Sequence, residues 1–367
     1  MKEIIITGIR GIPAAHGGFE TFAENLALYL VDKGWKVTVY CQEDSGEFYI
    51  DSWNGVQLIH IPVKNNGALG TIIFDFKSII HSLKEKKLVL TLGYNTAIFN
   101  SLYFLRGRKN VINMDGIEWK RDKWGIVAKS WFWMNERFGC WFGNHLIADH
   151  PKIKEHLATR VNDKKITMIP YGAHAIGKNN SNSDVLRQYG LDEKKYFLVI
   201  ARPEPENSIL EIVRGFSLNK NRTEKLVVLG NYDFLNNEYH KKIKESANEN
   251  VLFLGAIYNT SSVSTLRYYA LAYIHGHRVG GTNPSLVESL GSGNAIIAHD
   301  NKFNRWVVGD SGIFFTSDET CAAQMDYISS NEDIRLNLEA KAKEMFNEKF
   351  TWDLILSQYE ALLEDWL

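Results

Sequence analysis

The chain has 367 residues, 45% of them hydrophobic and 23% charged, with a formal net charge of −1. That length suits two domains better than one core, and the near-neutral balance gives no global argument for nucleic acid as a partner. No stretch approaches the about 20 apolar residues of a membrane span, and three scattered cysteines (Cys41, Cys140, Cys321) fit a reducing compartment without forming a metal or redox motif.

The N-terminus enters directly as a strand, so no signal peptide is expected and the protein is read as cytoplasmic. Short apolar runs predict strands at 3–8, 36–41, 56–63, 88–92, 111–114, 145–149 and 166–170. A polar stretch at 177–183 follows, and the series restarts at 196–201, 225–230, 251–256, 271–275, 294–299 and 312–316. Helical patterns lie near 18–33, 70–84, 96–105, 125–139, 207–219, 261–270, 318–328 and 332–347. Alternating strands and helices predict parallel sheets covered on both faces, and two such series predict two Rossmann-like domains. The expected boundaries are 1–170 and 171–351, with the amphipathic segment 352–367 crossing back onto the first domain. Ligands are expected in a cleft lined by the carboxyl ends of the strands.

After the first strand comes a long loop, Gly8 to Gly17, with Gly17-Gly18 opening a helix and Glu20 just inside it. It is neither the dinucleotide fingerprint nor a P-loop, but its backbone N–H groups can meet a phosphate or a sugar. The plain alternative is that the glycines only shape the loop. Asp115 follows another strand end, in Asn113-Met114-Asp115-Gly116-Ile117-Glu118; it and Glu118 are candidates to act as a base or orient a hydroxyl, although an Asp-Gly pair is also an ordinary turn.

Five of the ten tryptophans fall between 119 and 141, interleaved with Lys120, Arg121, Lys123, Lys129 and Arg137. Such a segment suits a membrane interface with anionic lipids, and equally a core or a dimer face. Arg202 ends the strand at 196–201, where a guanidinium can grip phosphate oxygens; pairing with Glu204 or Glu206 is the competing reading.

The stretch from Gly280 to Gly293 is the most informative. A glycine-rich turn leads into a helix opened by Pro284, with Asn283 or Ser285 as its cap. Its N–H groups make an anion site, and Glu288 one turn further in faces whatever the anion carries. His275, His277 and His299 lack partners at metal-ligand spacing, and His277, just ahead of the turn, is a candidate for a place in the cleft.

Together these motifs resemble the family 4 retaining glycosyltransferases, which have the GT-B fold, along nearly the whole chain. Gly17-Gly18-x-Glu20 looks like the family's opening loop, Ile169-Pro170-Tyr171-Gly172 like the Ile-Pro-Asn-Gly before its second domain, and 201–206 like the segment carrying its diphosphate arginine. Glu288 looks like the second glutamate of its E-x7-E region. The first glutamate of that pair falls on Gly280, and the lysine that follows the arginine falls on Asn207. With the sequence at 8–21, these departures resemble a bacterial subgroup associated with rhamnosyl transfer from dTDP-rhamnose to a lipid-diphosphate-linked sugar in surface polysaccharide assembly.

The resemblance implies a metal-independent hexosyltransferase at the inner face of the cell membrane. Arg202 and the backbone near Ser285 and Leu286 would hold the diphosphate, with Gly281 and Asn283 in the same turn. Glu288 would hold the nucleoside's sugar, Ala256 and Ile257 the base, and Asp115 the acceptor, in a site closing over the donor. Gly17, Gly18 and Glu20 would form the acceptor or phosphate loop. A GT-B-fold nucleotide-sugar epimerase and a non-catalytic nucleotide-sugar-binding protein are the alternatives.

Overall fold

The computed structural model describes residues 2–15, 17–44, 46–64, 67–178 and 183–367. His16 of the first loop and residues 179–182 of the polar stretch lie outside them. The chain forms two compact units. One comprises Met1–Lys120, Trp124–Tyr171 and Trp352–Leu367; the other comprises Arg121–Lys123 and Gly172–Thr351.

The first unit is built on β1 (Glu3–Thr7), β2 (Lys36–Glu43), β3 (Tyr49–Trp53), β4 (Val56–Pro62), β5 (Leu88–Leu92), β6 (Asn110–Asn113), β7 (His145–Ala148) and β8 (Ile166–Met168). Their order in the sheet is β3-β4-β2-β1-β5-β6-β7-β8, parallel except where β3 pairs antiparallel with β4. Its helices are α1 (Gly18–Asp32), α2 (Gly67–Ser82), α3 (Ser101–Leu105), α4 (Ile126–Phe142) and α5 (Pro151–Ala158). Central strands read as unbroken apolar runs because helices cover both faces; Ile4, Ile5 and Ile6 of β1 are all fully buried.

The second unit holds β9 (Tyr196–Ile200), β10 (Lys225–Leu229), β11 (Val251–Gly255), β12 (Ala272–His275), β13 (Ile296–His299) and β14 (Gly312–Phe315). All pair in parallel, in the order β11-β10-β9-β12-β13-β14. Its helices are α6 (Asp184–Gln188), α7 (Ile209–Leu218), α8 (Glu238–Glu245), α9 (Thr260–Tyr269), α10 (Pro284–Gly291), α11 (Lys302–Val308), α12 (Asp318–Ser330) and α13 (Glu332–Lys349).

Both sheets are doubly wound, with strand order reversing beside the first strand of each unit. In such sheets the loops at the carboxyl ends flanking that reversal form a ready crevice. In the second unit these loops follow β9 and β12; in the first they follow β1 and β5.

The last helix, α14 (Trp352–Glu364), belongs to the first unit. Its buried Trp352, Ile355, Leu356, Tyr359 and Leu363 join Phe22, Leu26 and Leu30 of α1 in one apolar cluster. Glu360 accepts hydrogen bonds from the Tyr29 hydroxyl (3.0 Å) and the Trp35 indole (3.1 Å).

The strand missing from the sequence reading is β3. It is an exposed edge strand, so burial leaves no apolar run to find. The turn that makes it was legible: Asn54 and Gly55 both have positive φ (47° and 83°), the Asn-Gly signature of a two-residue hairpin. Helices α5, α6, α8 and α11 were also missed. All four are only five to eight residues long, too short to show a helical period.

Candidate active site

In the second unit, β9 runs into Ala201 and Arg202, and residues Pro205–Asn207 make a single 3-10 turn before α7. Arg202 is exposed, and among the described residues it pairs with neither neighbouring glutamate. Glu206 is buried and bonds instead to the Arg121 guanidinium (2.8 Å from Nε). An uncommitted guanidinium therefore stands at the carboxyl end of β9, beside the strand-order reversal.

The loop after β12 leads into α10. Pro284 occupies the first helical position, and the Asn283 side chain caps the helix by accepting the Ser285 N–H at 3.0 Å. The N–H groups of Leu286 and Val287 donate to the Asn283 carbonyl (3.1 and 3.2 Å). Asn283, not Ser285, is the cap, and the N–H groups of Ser285 and Leu286 already have partners within the chain. Gly281 lies in the turn just before them.

The residue that organises this helix is one the sequence reading missed. Arg267 on α9 is 2% exposed. Its guanidinium donates to the Ser285 carbonyl (3.0 Å), the Ser285 hydroxyl (3.0 Å), the Ser289 hydroxyl (2.6 Å) and Glu288 Oε2 (2.5 Å). The Ser285 hydroxyl also meets the Tyr273 hydroxyl at 2.7 Å, and Tyr273 donates to the Ile200 carbonyl at 3.1 Å. The first turn of α10 is thereby tied to α9, β12 and the end of β9 at once. Glu288 thus has a fixed cationic neighbour, while its side chain stays 38% exposed. Nothing in the pattern of α9 announces Arg267, because a buried guanidinium on an otherwise neutral helix has no periodic signature.

Gly280 has φ +116°, a backbone conformation that residues with a Cβ rarely adopt. A Cβ built there would lie 3.2 Å from His277 Nε2. With this loop path, a carboxylate-bearing residue at position 280 would be both strained and crowded, which accounts physically for the departure noted in the sequence. Asn207, the other departure, donates to the Arg202 carbonyl (2.8 Å), and its amide oxygen faces His277 Nδ1. Burial pulls the His277 pKa down to about 3, assisted by the cations Arg121, Lys123 and Arg202. His275 is held far below its usual value, first by burial, and His299 is lowered for the same first reason. Among the described residues no cluster of three metal-ligating side chains occurs.

Ala256 and Ile257 follow β11, the edge strand of this sheet; Ala256 is exposed, and Ile257 packs against one of the unit's apolar clusters.

In the first unit the candidate loop follows β1. Gly17 precedes α1 with φ 108° and no side-chain cap. A Cβ on Gly17 would collide with Glu20 Oε2, so the carboxylate lies against the start of the helix. Glu20 also accepts the Arg10 N–H (3.3 Å), and Glu24 accepts the Ala14 N–H (2.5 Å). The anion at the start of α1 is therefore the chain's own, and Gly18 is the first helical residue. Asp115 follows β6 with φ 52°, its N–H donating to Asn113 Oδ1 (3.0 Å). The Asn113 amide in turn donates to the Tyr359 hydroxyl of α14 (2.7 Å). Glu118 is buried and accepts the Trp124 indole N–H (3.1 Å).

The tryptophans divide into two sets. Trp119 donates to the buried Glu136 (2.7 Å) and Trp131 to the Asn95 carbonyl (2.7 Å), so both serve the fold. Trp133 and Trp141 are exposed on α4 with Ile126, Val127 and Met134, and the Arg137 guanidinium lies 3.3 Å above the Trp133 ring. Among the described residues no helix is long and apolar enough to cross a membrane.

Residues 183–345 match the family described as glycosyl transferases group 1, and residues 1–174 match a domain of unknown function, DUF1972. Three solved structures illustrate the fold. Sucrose-phosphate synthase from Thermosynechococcus elongatus superposes with a TM-score of 0.80 at 16% identity, covering 100% of this chain and 99% of that one. HepE of Anabaena in complex with UDP-glucose gives 0.77 at 13%, covering 100% of both chains. A UDP-forming trehalose-phosphate synthase from Burkholderia xenovorans, in complex with glucose-6-phosphate, gives 0.76 at 10%, covering 99% and 100%. No curated protein matches the sequence. The architecture is that of the GT-B glycosyltransferases. With a glycosyltransferase group 1 domain in its second half, the protein is a glycosyltransferase.

Proposed function

We propose that the protein moves a hexose from a nucleoside-diphosphate sugar to a saccharide acceptor with retention of configuration, the sugar being rhamnose carried by dTDP and the acceptor a lipid-diphosphate-linked saccharide. The observation that carries this reading is Arg202, an exposed guanidinium without a carboxylate partner among the described residues, at the end of β9 and in the same unit as a helix start held rigid by Arg267. Breaking the bond between sugar C1 and the diphosphate oxygen leaves the electron pair, and the growing negative charge, on the diphosphate. Arg202 stabilises that charge, and the Ser285 N–H joins it when a phosphate oxygen replaces the Asn283 side chain as its acceptor. A prearranged positive site of this kind needs no metal ion to neutralise the leaving group.

The acceptor oxygen then bonds to C1 from the face the diphosphate leaves, and its proton passes to Asp115 or to a diphosphate oxygen. Glu288, steadied by Arg267, takes the hydroxyls of the nucleoside's ribose or deoxyribose, and Ala256 and Ile257 face the base. The UDP-glucose and glucose-6-phosphate bound in two of the similar structures support a nucleotide-sugar donor and a saccharide acceptor in general terms. The exposed aromatic and apolar face of α4, with Lys129 and Arg137 on the same helix, supports peripheral contact with an anionic membrane surface at the cytoplasmic face.

The test is a transfer assay offering dTDP-rhamnose, UDP-glucose and other nucleotide sugars with lipid-linked acceptors, the anomeric configuration of the product being read by NMR. Transfer with retention from one donor supports the proposal. Conversion of donor to an epimer without acceptor, or tight donor binding with no product from any acceptor, would replace it with the epimerase or the non-catalytic reading.

A further inference from the structure

His277 is built into the second unit more firmly than a loop residue needs to be. Its carbonyl accepts from the Asn301 amide (3.0 Å) and the Asn304 amide (2.8 Å), both at the start of α11. Its ring is held by Asn207. The Asn207 amide nitrogen donates to the Arg202 carbonyl, which can only accept, so the amide is fixed with its oxygen toward His277 Nδ1. That oxygen can only accept as well. Nδ1 must therefore carry the ring proton, and Nε2 is left as a bare lone pair.

Nε2 has no partner among the described residues. It is directed at Gly280, where the missing side chain leaves room: a Cβ there would be 3.2 Å away. The chain from Arg202 through Asn207 to His277 thus places a hydrogen-bond acceptor beside Gly280, one residue before Gly281 and four before Pro284. The acceptor is neutral, because burial and the surrounding cations keep the ring from protonating; with a pKa of about 3 it is also a poor proton-abstracting base. The groups an oriented, uncharged acceptor recognises are hydroxyls.

We infer that His277 is a sugar contact of the donor site: its Nε2 accepts a hydrogen bond from a hydroxyl of the hexose being transferred, and so helps determine which sugar is held. The inference rests on the donor-site reading given above and assigns the transferred sugar, as distinct from the nucleotide, its own contact. Gly280 is what allows it, since any side chain there would cover Nε2.

The experiment separates the two parts of the ligand. Calorimetric titration of the full chain compares dTDP with dTDP-rhamnose and UDP with UDP-glucose, for wild type, His277→Asn and His277→Gln. Asparagine retains an N–H where Nδ1 stands but cannot reach the place of Nε2; glutamine carries a carbonyl oxygen that can. One lost hydrogen bond corresponds to about a tenfold change in affinity. The inference expects His277→Asn to weaken the sugar nucleotide about tenfold while leaving the free diphosphate within about twofold of wild type, with His277→Gln recovering part of the loss. Equal weakening of both ligands, or no change in either, overturns it while leaving the donor site standing. Failure of the wild type to bind any of the four ligands removes the donor site and this contact together. Equal melting temperatures for the three proteins exclude misfolding as the source of a difference.

Discussion

The two units share a central strand order, to which the first adds an edge strand at each side, but they hold their candidate loops in different ways. In the second, a buried arginine fastens the start of α10 from beneath, and an Arg202–Asn207–His277 chain fixes the loop beside it. In the first, the loop after β1 is anchored by Ile9 and Ile12 in the apolar core and by the Gln42 N–H on the Arg10 carbonyl (2.7 Å), but its side-chain hydrogen bonds come from two partly exposed carboxylates, Glu20 and Glu24, each accepting one backbone N–H. Asp115 stands on a single left-handed residue after β6. A diphosphate presents the same charges whatever it carries, which suits a site fixed in advance. Side-chain contacts at the surface can change without disturbing a core, which suits the side of a transferase that must fit an acceptor.

The largest break in this contrast comes from Arg267. Replacing it with methionine keeps most of the volume but removes the guanidinium's hydrogen bonds to Glu288, to the Ser285 and Ser289 hydroxyls and to the Ser285 carbonyl, which keeps the Ser289 hydroxyl as a donor. Glu288 stays partly solvated, so the cost comes from the lost hydrogen bonds and should be about 2 kcal/mol of stability in the second unit, read as a lower urea midpoint. Glu20→Ala is the counterpart in the first unit. It removes one bond to a backbone N–H and should cost about 1 kcal/mol, with nucleotide binding unaffected. If the two variants cost the same, the distinction between buried and surface polar fastening fails.

A smaller effect is expected from pH, and of opposite sign in the two units. Among the described residues Asp75 on α2 is buried with only the Thr96 hydroxyl as partner (2.7 Å), and burial pushes its pKa up to about 7 from 3.8. Its folded form holds a proton more tightly than its unfolded form, so its contribution is full below about pH 4 and is lost as pH rises through about 7. His277 is the reverse. With a folded pKa of about 3 against 6.5 unfolded, it favours the folded state above pH 6.5, and that contribution falls away as pH drops toward 3. His275 and His299 are shifted in the same direction. Between pH 7.5 and 5, hydrogen exchange corrected for intrinsic rate should show protection rising in α2 and falling in β12. Asp75→Asn should abolish the first change and leave the second.

The smallest effect concerns α4. Flotation with vesicles containing anionic lipid should show wild type rising with the lipid, less so at high salt, and a Trp133→Ala/Trp141→Ala protein rising several-fold less. Equal flotation of both proteins, or of neither, contradicts a membrane role for this face.

The parallel architecture was legible because buried strands must read as apolar runs whatever surrounds them. Edge strand β3 escaped because it has no buried face, although its Asn54-Gly55 turn was there to be read. At the site, Arg202, Asn283 and Glu288 stood out because strand ends and helix starts leave local marks. Arg267 did not, because its role is set by α10, some 18 positions later in the chain. The five tryptophans looked like one group; only packing separates Trp119 and Trp131, which bond within the fold, from Trp133 and Trp141, which face outward.

The central claim is that Arg202 holds a diphosphate in a site already formed, and titrating wild type and Arg202→Ala with dTDP-rhamnose and UDP-glucose tests it most directly. Arg202 is exposed and carries no structural pair among the described residues, so the variant should melt with the wild type yet bind the preferred donor at least about tenfold more weakly, as expected for a lost charge-assisted contact. Equal affinity in the two proteins would contradict the account.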